Sequence, residues 1–105
     1  MNIQLCGQVT GIPRGNAVFL FDAAERAVRA KWPDAYTYNP TAAIPASSTH
    51  EEAMHDCLRT LACFTNVLVT LPGWERSKGA CLEVAVARAI GVDVVALEDI
   101  DGGAA

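Results

Sequence analysis

The chain has 105 residues, 51% of them hydrophobic and 19% charged, and its formal net charge is −4. This length suits one domain, residues 1–105, and this composition excludes an intrinsically disordered chain. The negative charge, with only eight Lys and Arg residues and no dense basic cluster, argues against a nucleic-acid-binding or anionic-membrane-binding protein.

The first third of the chain predicts a strand, a loop, a helix and a second strand. Asn2–Cys6 alternates apolar and polar residues, as a strand does. Residues 7–15 form a loop with three glycines, and residues 16–32 have the apolar spacing of a helix that Pro33 ends. Residues 35–38 are predicted as a short second strand.

The middle of the chain predicts a loop and a well-capped helix. Residues 41–48 are small and Ala-rich, and we expect them to form a loop. Thr49 resembles a helix N-cap, and Glu52 three residues later completes a capping-box pattern. The helix is expected to run to Cys63, with apolar residues on one stripe (Met54, Leu58 and Leu61).

The last third predicts a strand, a helix, a strand and a tail. Residues 66–71 are almost entirely apolar, as expected for a buried strand. Residues 77–90 are predicted as a helix ending at Gly91, and residues 93–97 as a fourth strand. Residues 101–105 are expected to fray.

This alternation of strands and helices predicts an α/β fold. Continuously apolar third and fourth strands indicate a parallel sheet that helices cover on both faces. Ligands of such sheets bind beyond the carboxyl ends of the strands, so the three loops after the first three strands are candidate binding segments: residues 7–15, 39–48 and 72–78.

Glu83 lies alone in an apolar stretch of the predicted third helix. A buried, unpaired carboxylate is costly, so it needs a partner, a proton or a function. Gly79 and Ala80, the residues over which its side chain leans, are small and leave space in front of it. The alternative interpretation is an ordinary glutamate on an exposed strip of the helix.

The segment before this helix has the residues of an anion-binding loop. Ser77 is a plausible N-cap flanked by Arg76 and Lys78, and a bound anion would offset the unfavourable cations at a helix N-terminus. The alternative is two solvated surface cations. Trp74 could stack on a base or cover the loop.

Two further features have both a functional and a structural interpretation. Gly7, Gly11 and Gly15 could let the first loop cradle a phosphate, or they could form a glycine-rich turn without a ligand; neither a P-loop nor a dinucleotide-binding pattern is present. Asp56 could be a second carboxylate at the site, or a solvated acid paired with Arg59.

The sequence has no metal-binding cysteine pattern and no recognisable targeting segment. The four cysteines form no CxxC pair, which argues against a zinc site, and we expect them to be small buried residues in a reducing compartment. No segment could span a bilayer, and the first residues lack the basic, apolar and cleavage-site order of a signal peptide, so we expect a soluble cytoplasmic protein without metal or cofactor.

Three segments together resemble a small family of phage and bacterial proteins in the nucleoside 2-deoxyribosyltransferase-like superfamily. They are the first loop (Gly7-Gln8-Val9-Thr10-Gly11-Ile12-Pro13, with Asn16), the pair Asn39-Pro40, and the run from Leu71 to Glu83. That family has no established function. The resemblance implies a flavodoxin-like three-layer sandwich with a four-stranded parallel sheet.

The better-known relatives cleave N-glycosidic bonds through a glutamate nucleophile. The resemblance therefore implies that Glu83 is the nucleophile and that Asp56 assists it near the leaving base. It assigns phosphate binding to Ser77 and Gly79, and contact with the sugar to Gly7, Thr10 and Gly11. With Trp74, these residues make up the predicted substrate-binding set.

We therefore expect a hydrolase or deoxyribosyltransferase acting on a nucleoside or nucleoside 5′-monophosphate. The alternatives are a non-catalytic nucleotide-binding module and an interaction protein with a vestigial pocket. A homodimer or higher homo-oligomer is expected, because a small apolar domain benefits from further burial and the relatives build their sites at subunit interfaces.

Overall fold

The computed structural model describes residues 1–104, with side chains described through Ile100. Four strands and five helices, with one short 3₁₀ turn, make up the described chain. The strands are β1 (Asn2–Cys6), β2 (Tyr36–Tyr38), β3 (Val67–Thr70) and β4 (Asp93–Ala96). The helices are α1 (Arg14–Lys31), α2 (Pro40–Ala43), α3 (His50–Cys63), α4 (Lys78–Ala89) and α5 (Leu97–Ala104).

The four strands form one parallel sheet in the order β2-β1-β3-β4. The chain moves outward from β1 to β2 and then crosses to the other side of β1 to form β3. This reversal places a topological switch point between the carboxyl ends of β1 and β3. The predicted α/β class and flavodoxin-like layering are confirmed.

One face of the sheet packs against α1 and α5. Ile3 and Leu5 of β1 point to this face because side chains alternate along a strand. They meet Phe21 and Val28 of α1 in a core whose members are at most 9% exposed. This apolar layer holds α1 and α5 against the first face of the sheet.

The opposite face of the sheet packs against α3 and α4. Cys6 of β1 and Leu68 of β3 contribute to a second buried cluster with Val84 of α4 and Leu61 of α3. The β1 side chains on this face are therefore Gln4 and Cys6, which alternate with Ile3 and Leu5 on the other face.

A buried polar network ties β1 to α3. Gln4 is completely buried, and its Nε2 donates to the carbonyl oxygen of Cys57 at 3.1 Å. Its Oε1 accepts from the Thr65 hydroxyl at 2.7 Å. Because both ends of this amide are satisfied, the network fixes the position of Cys57 over the sheet.

The predicted helix ends are confirmed at α3 and α4. Thr49 and Glu52 form both hydrogen bonds of the capping box, which lower the pKa of Glu52 below its usual value. Ser77 Oγ accepts from the backbone N–H of Ala80 at 3.2 Å at the start of α4. Gly91 follows α4 with a φ of +80°, a conformation that favours glycine.

Two parts of the fold differ from the sequence predictions. The expected loop at residues 41–48 begins with α2, because Asn39 accepts a capping hydrogen bond from the N–H of Thr41 and Pro40 suits a first helical position. The tail expected to fray from residue 101 instead belongs to α5, as far as Ala104. Ala105 lies outside the described residues.

The cysteine prediction is correct for two of the four residues. Cys6 and Cys57 are buried, whereas Cys63 and Cys81 are exposed. Cys63 is the last residue of α3, and Cys81 lies on the outer face of α4. None of the helices in the described part of the chain is long and apolar enough to cross a membrane.

Candidate functional site

A cleft of about 240 Å³ lies beyond the carboxyl end of β1, between the loop that follows this strand and the start of α4, which follows β3. This is the side of the sheet on which the topological switch point lies. The end of β1 and the following loop form one side, and α2 with residues 44–48 forms another. The first half of α3 and the start of α4 complete it. The structure thus brings together the three loops that the sequence singled out.

Glu83 is buried in this cleft, with 6% of its surface exposed. It follows Ala80 by one turn and precedes Ala87 by one turn, and both alanines are also buried. The buried face of α4 therefore carries the carboxyl group into the cleft. The alternative interpretation, a glutamate on the exposed strip of α4, is wrong.

Two thiols share this buried region with Glu83. Cys6 at the end of β1 and Cys57 in the middle of α3 both line the cleft, with exposures of 1% and 6%. Burial raises the pKa of Glu83, and the neighbouring thiols offset part of that rise. Among the described side chains, none of the ion pairs involves Glu83.

The thiols themselves are held in their protonated form. Burial, and then the adjacent Glu83 carboxylate, raise the pKa of both Cys6 and Cys57. A cysteine acts as a nucleophile only as a thiolate. The chemistry available at the centre of the cleft is therefore that of a carboxyl group with two neutral donors.

The first loop approaches the sheet closely at Gly7. A Cβ atom at this position would lie 3.0 Å from Cβ of Leu71 and 3.3 Å from Cζ of Phe21, so a larger residue would push the loop away. Gly7 and Thr10 line the cleft. Gly11 is not among its lining residues and instead provides a turn with φ +90°.

The start of α4 forms the edge of the cleft opposite the first loop. Ser77 and Gly79 both line the cleft. The first N–H groups of a helix have no partner within it and can bind an anion. Arg76 and Lys78 are exposed and are not among the lining residues.

Trp74 does not line the cleft. It begins the 3₁₀ turn Trp74–Arg76 and packs, half-buried, against the second core cluster. This position agrees with the interpretation in which Trp74 covers the segment before α4, and not with stacking on a base inside the cleft.

Asp56 is also outside the lining of the cleft. Its carboxylate forms an ion pair with Arg59 at 3.4 Å, and its side chain is 42% exposed. The next residue along α3, Cys57, is the one that faces Glu83. The structure therefore does not bring the two predicted catalytic carboxylates together.

Several lining residues were missed by the sequence analysis. The buried thiols could have been found, because Cys6 ends β1 directly before the candidate loop. Arg14 had no sequence signal: its Nη2 donates to the carbonyl oxygen of Thr41 at 2.8 Å, a contact between residues far apart in the chain. His50, the first residue of α3, also lines the cleft. Within the described part of the chain, no three His, Cys, Asp or Glu side chains are grouped to hold a metal ion.

Fold and site together define a flavodoxin-like α/β domain with one buried carboxyl group in a cleft over its switch point. The model of a family described as a domain of unknown function (DUF4406) matches residues 1–96, and the chain belongs to that family. Searches of curated proteins and of solved structures gave no match to the chain.

Proposed function

We propose that the chain cleaves the N-glycosidic bond of a nucleoside or nucleoside 5′-monophosphate, with Glu83 as the nucleophile. The observation that carries the proposal is the position of Glu83, buried yet lining a cleft at the switch point of the sheet. The resemblance of the segment before α4 to the nucleoside 2-deoxyribosyltransferase-like superfamily supports it.

The reaction would proceed in two displacements. A carboxylate oxygen of Glu83 attacks C1′, the C1′–N bond breaks, and its electron pair leaves with the base, which takes up a proton. Water then attacks C1′ of the glycosyl ester and releases the sugar with retained configuration. A second base in place of water would give transfer instead of hydrolysis.

In this proposal each edge of the cleft holds a different part of the substrate. Ser77 and Gly79 at the start of α4 would bind the 5′-phosphate, and Gly7 and Thr10 would contact the sugar. The cleft volume of about 240 Å³ is below the range of roughly 300–1,000 Å³ for drug-sized ligands. This size favours a mononucleoside or mononucleotide over a dinucleotide.

The protonation state of Glu83 matters to this chemistry. Burial raises the pKa of its carboxyl group, so a smaller fraction of Glu83 is in the ionised form that acts as the nucleophile. Positive charge that develops at C1′ would favour the ionised form. Asp56 remains the sequence prediction for the proton donor to the base, and it would have to leave Arg59 to act.

Incubation with each deoxynucleoside 5′-monophosphate, followed by chromatography of the free base, tests the proposal. Wild-type protein and Glu98→Gln, an exposed position on α5, are expected to release base, whereas Glu83→Gln is not. Asp56→Asn tests the assisting role separately. Equal release by wild type and Glu83→Gln would refute the nucleophile.

The second candidate is a module that binds a nucleotide without cleaving it. The observation that favours it is the pairing of Asp56 with Arg59, outside the cleft, which leaves Glu83 without a second carboxylate. A nucleotide that raises the melting temperature and is recovered intact would support this function and exclude cleavage.

We also propose that the chain forms a homodimer. Seven large apolar side chains are about half or more exposed: Met1, Phe19, Leu20, Tyr36, Phe64, Leu82 and Ile90. Two of them, Phe19 and Leu20, are neighbours on α1, and the burial of this pair between two copies would stabilise a dimer. Light scattering at micromolar concentration tests this, and a strictly monomeric mass would contradict it.

A further inference from the structure

The base that leaves in the proposed reaction needs a group that stabilises its negative charge. When the C1′–N bond breaks, the electron pair moves into the ring of the base, where a proton or a nearby cation must compensate it. Asp56, which the resemblance assigned to this step, is paired with Arg59 and is not in the lining of the cleft. A residue that does line the cleft can supply the compensating charge.

Arg14, the first residue of α1, brings a positive charge to the lining of the cleft. Its Nη2 donates to the carbonyl oxygens of Thr41 at 2.8 Å and Ile44 at 3.5 Å. These bonds hold the guanidinium group against the edge formed by α2 and residues 44–48. Neither of the ion pairs among the described side chains involves Arg14. The cleft therefore has an anchored guanidinium group without a carboxylate partner.

Most of the hydrogen-bonding capacity of this guanidinium group is unused. Arginine has five N–H donors in a planar fork, and among the described residues only those of Nη2 are bonded to the protein. The first turn of α1 is also an unfavourable place for a cation, because the helix dipole puts partial positive charge there and this turn has no acidic residue. The stability of α1 therefore does not explain Arg14, whereas an acceptor on a ligand would.

The order of the strands places Arg14 at the base end of the proposed substrate. In the order β2-β1-β3-β4, α2 follows β2 and the start of α4 follows β3, so these two edges of the cleft lie on opposite sides of β1. Strands β2 and β3 are two strand spacings apart, about 10 Å. With the 5′-phosphate at Ser77 and Gly79, the sugar lies at Glu83. The base then extends toward the α2 edge, where Arg14 is held.

We propose that Arg14 is a catalytic residue, which binds the keto oxygen of the leaving base and stabilises the negative charge that develops there. This role rests on the proposed function. As the C1′–N bond breaks, the electron pair spreads from the ring nitrogen to the keto oxygen, which accepts a hydrogen bond from the guanidinium group. The base anion then takes up the proton released by the water that attacks C1′ of the glycosyl ester. The departure of the base therefore does not require Asp56.

The same contact selects the class of substrate. Guanine, hypoxanthine, thymine and uracil have a keto oxygen where adenine and cytosine have an amino group. An amino group is a donor and cannot accept a hydrogen bond from arginine, which is itself only a donor. The substrates are therefore the deoxynucleoside 5′-monophosphates of keto bases.

Calorimetric titration of Glu83→Gln protein tests the contact without cleavage. Deoxyinosine and deoxyadenosine monophosphates form one keto and amino pair, and deoxyuridine and deoxycytidine monophosphates form the other. Each keto nucleotide is expected to bind about tenfold more tightly than its amino counterpart. Adding Arg14→Met is expected to abolish this difference while binding of deoxyadenosine monophosphate persists, which shows that the cleft is still formed.

Two further variants separate the contact from general charge effects. Arg26→Met removes an exposed arginine of the same helix that does not line the cleft, and it is expected to keep the preference for keto bases. Arg14→Lys keeps the charge but loses the planar fork, so it is expected to keep only part of the preference. If Arg14→Met weakens keto and amino nucleotides equally and leaves deoxyinosine binding unchanged, the phosphate and not the base lies at Arg14, and the proposal is overturned.

Cleavage gives a second readout, which a merely structural role of Arg14 would not produce. Methylation at N7 makes guanine positively charged, so 7-methylguanine leaves as a neutral base and needs no cation beside it. Arg14→Met is expected to lower kcat for deoxyguanosine monophosphate about 100-fold and to leave kcat for its 7-methyl derivative unchanged or higher. Equal losses on the two substrates would overturn the catalytic role. If wild type releases no base from either nucleotide, the proposed function fails together with that role, whereas the titration still decides whether Arg14 binds the keto oxygen.

Discussion

Gly79 of α4 lies directly against the side chain of Met54 of α3. A Cβ atom at residue 79 would be 2.9 Å from Sδ of Met54, closer than real contacts of this kind. Both residues line the cleft. The missing side chain at residue 79 therefore sets how closely the two helices approach at this edge, and how much room remains between them.

Replacement of this glycine is expected to affect the cleft more than the fold. In Gly79→Ala the flexible end of Met54 can move aside, and alanine is a better helix former, so the free energy of unfolding should change by less than about 1 kcal/mol. The displaced sulfur narrows the cleft. Thermal-shift measurements should show weaker stabilisation by a bound deoxynucleoside monophosphate than for wild type.

A double-mutant cycle provides the control. In a Met54→Ala background the alanine at residue 79 meets no sulfur, so Gly79→Ala should then stabilise the helix, by up to about 1 kcal/mol. If Gly79→Ala has the same effect on unfolding and ligand binding in both backgrounds, the contact does not define the cleft.

Glu83→Gln is expected to stabilise the protein at neutral pH. Burial raises the pKa of Glu83 in the folded state, so the folded chain keeps this proton to a higher pH than the unfolded chain, where the pKa is about 4.3. The free energy of unfolding therefore falls as pH rises through this window, by about 1.4 kcal/mol for each pH unit that separates the two pKa values.

Urea unfolding of wild type and Glu83→Gln between pH 4 and pH 8 measures this difference. The advantage of the glutamine variant should be smallest near pH 4 and grow with pH. Glu98→Gln removes one negative charge from the same chain, whose net charge is −4, at an exposed position. An equal gain in that variant would attribute the effect to net charge instead of burial.

The sequence predicted the sheet and most of the cleft because their signals are local. The alternation of apolar and polar residues predicted β1, and the capping-box pattern predicted the start of α3. The small residues before Glu83 predicted space in front of its carboxyl group. The role of Asp56 came from the resemblance alone, and no local pattern shows that its carboxylate pairs with Arg59 outside the cleft lining. The predicted apolar stripe of α3 does face α4, because Met54 meets Gly79 and Leu61 packs in the cluster with Val84.

The missing elements depend on contacts that no local pattern reveals. The short helix α2 is fixed by Asn39, whose side chain binds Asp22 and Glu25 from a different helix. Arg14 of α1 likewise donates a hydrogen bond to the carbonyl oxygen of Thr41 in α2. Both sets of bonds join residues at least 14 positions apart, so local sequence patterns do not predict them.

The capping box at α3 gives a further prediction. Thr49 Oγ1 accepts from the backbone N–H of Glu52 at 3.1 Å, and Thr49 also lines the cleft. Thr49→Ala should lower the free energy of unfolding by about 1 kcal/mol, whereas Thr49→Ser keeps the acceptor and should cost much less. Equal losses in chemical denaturation would show that the lost methyl contact, and not the cap, is responsible.

The final prediction concerns the amide that secures α2 beside the cleft. Asn39 is 4% exposed, and its Nδ2 donates to Asp22 Oδ1 and Glu25 Oε1, each at 3.0 Å. Its Oδ1 accepts from the N–H and hydroxyl of Thr41. Asn39→Asp would replace the donor with a third carboxylate oxygen beside two others.

At pH 7 this variant is expected to lose about 3 kcal/mol or more of unfolding free energy, because a buried donor is lost and like charges are brought together. Asn39→Ala removes the same bonds without adding charge and should lose about 1–3 kcal/mol. Like-charge repulsion raises the pKa values of the crowded carboxyl groups, so the folded aspartate variant binds protons more readily than its unfolded chain. Its stability should therefore recover toward that of the alanine variant as pH falls to about 4. Denaturation midpoints that are equal for the two variants at pH 7 would show that Asn39 does not face both carboxylates.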